Sequence, residues 1–261
     1  MNNESKTLYI PLYGKALMSR EGLFPDKWAE EIVATCGYDF AEVDKSRKLA
    51  IMMALRAALL DRLGSVFARE HPGGIGLQLG VGLDSRAQRL DSGLFWYDLD
   101  FPEVIEQRRR YFPEEENYHL IAAPALPADW LGSLPDASHA LVIAEGLSMY
   151  LSEEDMRALI AAFQRKWPDT LFVFDAYSRL AARLSPLRNP VNAVKARIDF
   201  AMDDPAELIR GMAGVTCELD TGIITDEGLM RLKGWDRLRF SLMRRPGNRL
   251  YRVYGYRVKK M

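Results

Sequence analysis

Two glycines and a set of strand-terminal acids are the residues of this chain whose types and spacing could do chemistry. Gly80 and Gly82 follow a short apolar run, and a second apolar run about eighteen residues further on ends in Asp98 and Asp100. Glycines let the backbone approach a ligand closely, and an acid that closes the next strand can hold ribose hydroxyls. The pattern predicts a nucleoside site at the edge of an open α/β sheet, with either acid at the ribose.

The spacing also discriminates between nucleosides. A dinucleotide fingerprint has a third glycine, which lets helix and strand pack closely beside a pyrophosphate. Here that position holds Ser85. S-adenosylmethionine has no pyrophosphate and needs only room at the turn and an acid for the ribose, so the spacing favours it over NAD. Two alternatives remain: an NAD(P)-dependent oxidoreductase, against which Ser85 argues, and a nucleoside-binding interaction protein without catalysis.

Two further charged residues stand in apolar surroundings. The apolar run 140–144 ends in Glu145 and is typical of a central parallel strand, whose terminal acid points to the ligand crevice. Arg56 lies within the apolar face of a long helix, where a buried charge needs a partner. It either extends to solvent at the helix edge or meets the carboxylate of a bound amino-acid moiety.

Bulk properties exclude several classes of protein. The chain has 261 residues with a net charge of -1, which suits one α/β domain and does not indicate a general nucleic-acid surface. The cysteines (Cys36, Cys217) and histidines (His71, His119, His139) form no metal or redox motif, so no metal is expected. No apolar run reaches the ~18 residues of a membrane span and the N-terminus has no apolar signal, so we expect a cytoplasmic protein without membrane contact.

The predicted elements must position these residues. The pattern divides a single domain into a helical cap at 1–73, a cofactor-binding core at 74–176, an inserted helical lid at 177–211 and closing core strands at 212–261. Two antiparallel closing strands are predicted at 235–242 and 250–258, and Arg108 is interpreted as part of a solvated helix face. This order predicts a Rossmann-like class I methyltransferase fold, α/β, with a seven-stranded, mostly parallel sheet whose last strand is antiparallel.

Several motifs resemble one branch of that class, the leucine carboxyl methyltransferase family. Leu79–Arg86 is similar to its LGxGLDTR signature, and the other matching segments, in chain order, are Gly14–Ala16, Arg56–Asp61, Trp96–Ile105 and Ile143–Leu151. The last of these is similar to the AEGxxxYL segment of the family. This chain resembles the short form of the family, with the sequence Trp96–Asp100 in its second predicted strand. In this respect it looks closest to the bacterial polyketide-type O-methyltransferases of the family.

The resemblance implies roles for the matching positions. Gly80 and Gly82 would line the cofactor, Asp100 would hold the ribose, Arg56 with Lys15 would hold the methionine carboxylate, Glu145 would meet the amino group, and Tyr150 would lie near the transferred methyl group. The segment after the third strand lacks the acid that the family often uses at the adenine. Backbone groups of Ala125 and Leu126 are therefore expected there.

The resulting hypothesis is O-methylation of a carboxylate or hydroxyl on a small molecule. A carboxylate is already ionised at pH 7 and needs no base, so the main task of the protein is positioning. Tyr177, Arg179 and Arg183 in the lid are candidates to meet an anionic acceptor. The expected partner is this small-molecule acceptor, and the protein is expected to be a monomer or homodimer.

Overall fold

The structure is a computed structural model that describes residues 3–42, 46–90, 92–188 and 198–261. Its α-helices are α1 (Asn3–Arg20), α2 (Lys27–Thr35), α3 (Arg47–Glu70), α4 (Arg86–Leu90), α5 (Pro102–Arg109), α6 (Glu153–Lys166), α7 (Arg179–Arg188), α8 (Pro205–Leu208), α9 (Asp226–Arg231) and α10 (Gly234–Leu250). Its strands are β1 (Ile75–Leu79), β2 (Phe95–Asp100), β3 (Tyr118–Ala122), β4 (His139–Ala144), β5 (Asp169–Tyr177), β6 (Val215–Gly222) and β7 (Tyr251–Lys259).

The strands form one seven-stranded sheet in the order β3-β2-β1-β4-β5-β7-β6. The first five strands are mutually parallel, and β7 runs antiparallel to both β5 and β6. All five residues of β1 are buried, as expected for a central parallel strand covered on both faces. The predicted fold class, including the antiparallel last strand, is confirmed.

Two apolar cores lie on the two faces of the sheet. One contains buried residues of α1, α3 and α10, such as Leu12, Leu60 and Phe240. The other contains buried residues of α6 and of the central strands, such as Phe163 and Val142. Helices α1 to α3 occupy the region predicted as a cap. Among the described residues, no helix has the length and apolar character needed to cross a membrane.

The prediction of a strand at 235–242 is wrong, because this segment belongs to helix α10. The burial of its apolar side chains follows a helical period. Phe240 is fully buried, whereas Trp235, Leu238 and Leu242 are exposed. The antiparallel pair is instead β6 with β7, which are connected through α9 and α10.

The region predicted as a lid is described in part. Helix α7 follows β5, Ala201 bridges Tyr177, and α8 follows at Pro205–Leu208. The Asp199 N–H donates to the Met149 carbonyl at 2.8 Å, which ties the returning chain to the loop after β4. Residues 189–197 of the predicted lid lie outside the described residues.

Candidate active site

The order of the strands places a crevice at the carboxyl ends of β1 and β4. Strand β1 lies between β2 and β4, so the connections on its two sides diverge and leave a crevice there. Gly80 follows β1, Asp100 ends β2 and Glu145 follows β4. The sheet therefore brings these predicted cofactor residues to one edge.

The turn after β1 depends on the conformational freedom of glycine. Gly80 and Gly82 have φ angles of 62° and 56°, in the left-handed region that L-residues with a Cβ rarely adopt. A Cβ at Gly80 would lie 3.1 Å from the Leu147 side chain, and one at Gly82 would lie 2.9 Å from the Cδ1 of Leu8. Helix α1 therefore covers the turn, and a larger residue would fill the space against which a ligand must lie.

The Asp100 side chain is hydrogen-bonded to this turn. Its Oδ2 accepts the Gly82 N–H at 2.7 Å, and its Oδ1 accepts the Phe101 N–H at 2.8 Å. An ionised carboxylate has about four lone-pair sites, so capacity remains for two hydroxyl donors such as those of a ribose. Burial raises the pKa of Asp100 against the opposing effect of these backbone hydrogen bonds. The carboxylate is thus preorganised beside the turn.

Asp98 has a different environment. It lies buried beneath the turn and accepts hydrogen bonds from the Arg108 guanidinium and, at 2.7 Å, from the Tyr118 hydroxyl. Arg108 also donates to the Gly82 carbonyl at 3.1 Å, so the pair supports the turn from below. The interpretation of Arg108 as solvated is wrong, since its side chain is fully buried. Of the two candidate acids, the geometry favours Asp100 for the ribose.

Arg56 and Glu145 meet at the other side of the crevice. The Arg56 Nε donates to Glu145 Oε1 at 2.9 Å, and Arg86 donates to the second Glu145 oxygen. Burial raises the pKa of Glu145, but Arg56 and Arg86 outweigh burial and hold this pKa at about 2. The crevice therefore presents a fixed positive and a fixed negative group side by side.

Two residues from the antiparallel part of the sheet orient Arg56. Its Nη1 donates to Asp175 at 3.1 Å and to the Tyr251 hydroxyl at 2.5 Å, and Tyr251 in turn donates to Asp175. The second Asp175 oxygen accepts the Gly146 N–H at 2.6 Å. A Cβ at Gly146, where φ is 70°, would lie 3.5 Å from Arg56 Nη1. Because residue 146 is a glycine, it places no side chain against the Arg56 guanidinium.

Lys15 belongs to a second buried ionic group. Its ammonium contacts Asp84, and Arg89 reaches the same carboxylate at 3.3 Å. Burial raises the pKa of Asp84, but Arg89, Lys15 and Arg86 together hold it well below the usual range. Asp61 accepts from both Arg86 and Arg89, at 2.8 and 2.9 Å. Because Arg86 also contacts Glu145, the two ionic groups form one network beneath the crevice.

The predicted acceptor residues divide into two sets. Tyr150 is 43% exposed beside the crevice, and the Tyr177 ring lies 4.5 Å from the ring of Tyr251. Burial raises the pKa of Tyr150, and it raises that of Tyr177 to about 12. In contrast, Arg179 forms an ion pair with Glu207 and Arg183 is exposed, so no described contact brings either to the tyrosines.

The loop that was predicted to meet the adenine lies next to Asp100. The Ala123 N–H donates to the Asp100 carbonyl at 3.0 Å, which fixes the start of this loop against the end of β2. The Ala125 carbonyl accepts the Trp130 indole N–H at 3.2 Å, and Leu126 packs on the second core. The structure therefore places Ala125 and Leu126 in the loop that starts beside Asp100.

These residues fit S-adenosylmethionine by their chemistry. The methionine part of this cofactor is a zwitterion, and Arg56 with Glu145 offers one charge of each sign. Asp100 offers acceptor capacity for the ribose diol, and the turn at Gly80 has no side chain to obstruct the approach. Lys15 supplies a second cation, although its ammonium contacts Asp84.

The sequence reasoning missed several members of the site. Asp84, Arg86, Asp175 and Tyr251 are all buried and contact the predicted residues. Asp175 lies near the end of an apolar strand, which is the signal that singled out Glu145. Tyr251 carries no such signal, because its contact with Arg56 depends on the pairing of β7 with β5.

The chain matches the family model described as leucine carboxyl methyltransferase over residues 13–164. It is 33% identical over 214 residues to the tetracenomycin polyketide synthesis O-methyltransferase TcmP of Streptomyces glaucescens, covering 80% of this chain and 79% of that one. It is 26% identical over 284 residues to the S-adenosyl-L-methionine-dependent methyltransferase dpfgK of Gibberella zeae, covering 98% of this chain and 95% of that one.

Solved structures share the fold. The plantazolicin methyltransferase BamL, in complex with a triazolic desmethylPZN analog and SAH, matches 98% of this chain and 97% of its own with a TM-score of 0.56. The N-methyltransferase NodS of Bradyrhizobium japonicum matches 80% of this chain with a TM-score of 0.51. Sequence identities of 12% and 11% limit both comparisons to the fold.

Proposed function

The chain belongs to the leucine carboxyl methyltransferase family and uses S-adenosylmethionine as its methyl donor, and from that premise we propose that it methylates a carboxylate oxygen of a small-molecule acid. S-adenosylmethionine supplies an electrophilic methyl group carried on a sulfonium. The residues of this chain supply binding, orientation and charge. Methylation of an oxygen agrees with the name of TcmP, which is that of an O-methyltransferase.

Among the residues that the structure describes, we find no histidine or unpaired carboxylate in contact with Tyr150, and this supports a carboxylate acceptor. His71 and His139 stack with ring centroids 4.0 Å apart near the amino ends of the strands, opposite the crevice, and His119 stacks on Tyr97. Asp175, the carboxylate that interacts electrostatically with Tyr150, is held by Arg56, and so is Glu145. A phenol with a pKa near 10 would require a base, whereas a carboxylate is ionised at pH 7.

We assign the cofactor contacts to the charged groups that the sheet brings to the crevice. Asp100 would accept the ribose hydroxyls, Arg56 would meet the α-carboxylate and Glu145 the α-ammonium group. Lys15 adds positive charge that acts on Glu145, although its ion pair with Asp84 makes its contribution indirect. Gly80 has no side chain, which leaves space for the cofactor to approach the turn after β1. These contacts fix the direction in which the reactive methyl group would point.

The acceptor would bind on the side of Tyr150 and Tyr177. Tyr150 is the more accessible of the two, and its hydroxyl can donate a hydrogen bond to an acceptor oxygen. Its raised pKa keeps it protonated at neutral pH, so it orients the acceptor and does not remove a proton. Recognition by Arg179 or Arg183 remains a prediction that no described contact supports.

A label-transfer experiment tests the acceptor chemistry. The protein is incubated with S-adenosylmethionine labelled in the methyl group and with aromatic acids that carry both a carboxyl and a phenol group. Each acid is paired with its carboxamide and with its O-methylated phenol as matched controls. We expect label that alkali releases as methanol, the behaviour of a methyl ester, from the acids and from the capped phenols.

Other results of this experiment have distinct meanings. Alkali-stable label that disappears when the phenol is capped would identify an aryl ether and overturn the carboxylate assignment. Binding of S-adenosylhomocysteine without transfer to any compound of a broad panel would favour the interaction protein that lacks catalysis. The chain is similar to a methyltransferase along nearly its whole length, and this similarity argues against an NAD(P)-dependent oxidoreductase.

A further inference from the structure

The carboxylate of Asp175 lies between the two halves of the candidate active site. On the cofactor side, one of its oxygens accepts from the Arg56 guanidinium at 3.1 Å and from the Tyr251 hydroxyl. On the acceptor side, its other oxygen accepts the Gly146 N–H at 2.6 Å, where the turn after β4 begins. The Asp175 side chain is fully buried, so water does not compete for these contacts. One residue therefore contacts both halves of the site.

The turn after β4, which we call the 146–151 turn, carries Tyr150. It has a second hydrogen bond to the same residue, because the Ser148 hydroxyl donates to the Asp175 carbonyl. Ser148 is buried, whereas Tyr150, two residues further on, is 43% exposed. Besides the larger effect of burial, the charges of Arg56 and Asp175 also act on the pKa of Tyr150. The exposed part of the turn thus extends from a base that is bonded to Asp175.

Contacts on both sides require a group that accepts with both of its oxygens. An ionised carboxylate does so, and it also places a negative charge beside the buried Arg56 guanidinium. An amide of the same shape would present its NH2 group either to Arg56 or to the Gly146 N–H, so two donors would face each other on one side. An acid at position 175 is therefore what joins the two halves.

We propose that Asp175 is a positioning residue that couples the two binding steps: a cofactor carboxylate held by Arg56 orders the 146–151 turn, and the acceptor then meets a fixed Tyr150. The part of Tyr150 in acceptor binding rests on the function proposed above. A new partner for Arg56 restricts its motion and that of Asp175, to which both turn bonds run. Ordering one site in this way lowers the entropic cost of binding at the other, so the cofactor and the acceptor strengthen each other's binding.

Hydrogen exchange followed by mass spectrometry on peptides that cover the 146–151 turn tests this coupling without any acceptor. In the wild type, saturation with S-adenosylhomocysteine should slow the exchange of these amides about fivefold or more. Asp175→Asn keeps the size of the side chain but cannot accept on both sides, so its exchange with and without S-adenosylhomocysteine should be equal. A merely structural role of Asp175 would speed exchange in both states and leave their ratio unchanged.

A second variant, Ser148→Ala, keeps the test decisive if Asp175→Asn does not fold. It removes the hydroxyl that donates to the Asp175 carbonyl but none of the contacts of Arg56. We expect its affinity for S-adenosylhomocysteine, measured by titration calorimetry, to match that of the wild type, while the slowing of exchange falls to less than half. Asp169→Asn is the matched control, because Asp169 lies at the opposite end of β5, and it should keep the wild-type ratio.

Three results of these measurements would overturn the proposal. Full slowing of exchange in Asp175→Asn would show that the cofactor orders the turn directly. Equal exchange in the wild type with and without S-adenosylhomocysteine would show that the two sides are not coupled, and the loss of slowing in Asp169→Asn would show that Asp175 has no particular part in it. The label-transfer experiment fails independently, because an aryl ether product would overturn the carboxylate acceptor but leave these exchange rates as predicted.

Discussion

The Arg56 Nε donates a hydrogen bond to the Glu145 Oε1 at 2.9 Å, although the two residues lie 89 positions apart in the chain. The contact joins the middle of α3 to the end of β4. Both side chains are almost fully buried, and a buried ion pair costs much of its Coulomb energy in desolvation. Removing one of the two charges leaves the other buried without a partner, which is strongly destabilising.

The first prediction concerns the geometry of Arg56. Arg56→Lys keeps the charge but removes the planar fork that reaches Glu145, Asp175 and Tyr251 together. We expect the dissociation constant of S-adenosylhomocysteine, measured by titration calorimetry, to rise about tenfold to hundredfold. Arg62→Lys is the control on the same helix, because Arg62 is exposed and pairs with Glu227. Equal affinity in both variants would show that Arg56 does not bind the cofactor.

The second prediction separates the two acids of β2. Asp100→Asn should weaken binding of S-adenosylhomocysteine by about tenfold or more while the melting temperature changes little, because its partners are backbone N–H groups. Asp98→Asn should mainly lower the melting temperature, because it leaves the fully buried Arg108 without its counter-charge. If Asp98→Asn instead weakened binding of S-adenosylhomocysteine, and Asp100→Asn mainly lowered the melting temperature, the ribose contact would belong to Asp98.

The third prediction is the dependence of stability on pH. The pKa of Glu145 is about 2 in the folded chain, below the value of about 4.3 in an unfolded chain. A lowered carboxyl pKa gives stability that is complete above the unfolded value and is lost as the pH falls through the folded value. On the order of 3 kcal/mol should therefore disappear between pH about 4.3 and pH about 2.

Denaturant unfolding at several pH values measures this loss. The difference in unfolding free energy between the wild type and Glu145→Gln should shrink as the pH falls through that window. Comparing the two chains cancels the opposite contribution of Asp98 and Asp100, whose pKa values are raised by burial. Glu153→Gln, at an exposed glutamate of α6, is the control for the loss of a carboxylate at the surface. A constant difference for Glu145→Gln would contradict the assignment.

The fourth prediction distinguishes acceptor binding from cofactor binding. Tyr150→Phe removes a hydroxyl on the acceptor side but none of the described contacts of Arg56, Asp100 or Glu145. We expect kcat/KM for the acceptor to fall about tenfold, since one hydrogen bond is lost, and the affinity for S-adenosylhomocysteine to stay the same. Weaker binding of S-adenosylhomocysteine would instead place Tyr150 at the cofactor.

The sequence predicts those parts of the site that depend on local pattern. The turn at Gly80 and Gly82 and the acids at Asp100 and Glu145 follow apolar runs long enough to define central strands. In open sheets of this kind the carboxyl ends of parallel strands share one edge. Their convergence therefore follows from strand order alone, and the structure shows it.

Other parts depend on contacts that no local pattern contains. Arg108 lies among charged neighbours on α5, and only the position of Asp98 beneath it explains its burial. The contact of Tyr251 with Arg56 depends on how β7 pairs with β5. The segment 235–242 was misassigned because its exposed apolar residues contradict the rule that apolar residues face the core.

A crystal structure of the chain with S-adenosylhomocysteine tests the central claim most directly. We predict that both ribose hydroxyls lie within hydrogen-bonding distance of the Asp100 carboxylate. The homocysteine carboxylate should contact Arg56 and its amino group should contact Glu145, with the sulfur pointing towards Tyr150. A nucleoside bound away from the turn at Gly80, with Asp100 and Glu145 untouched, would contradict the account.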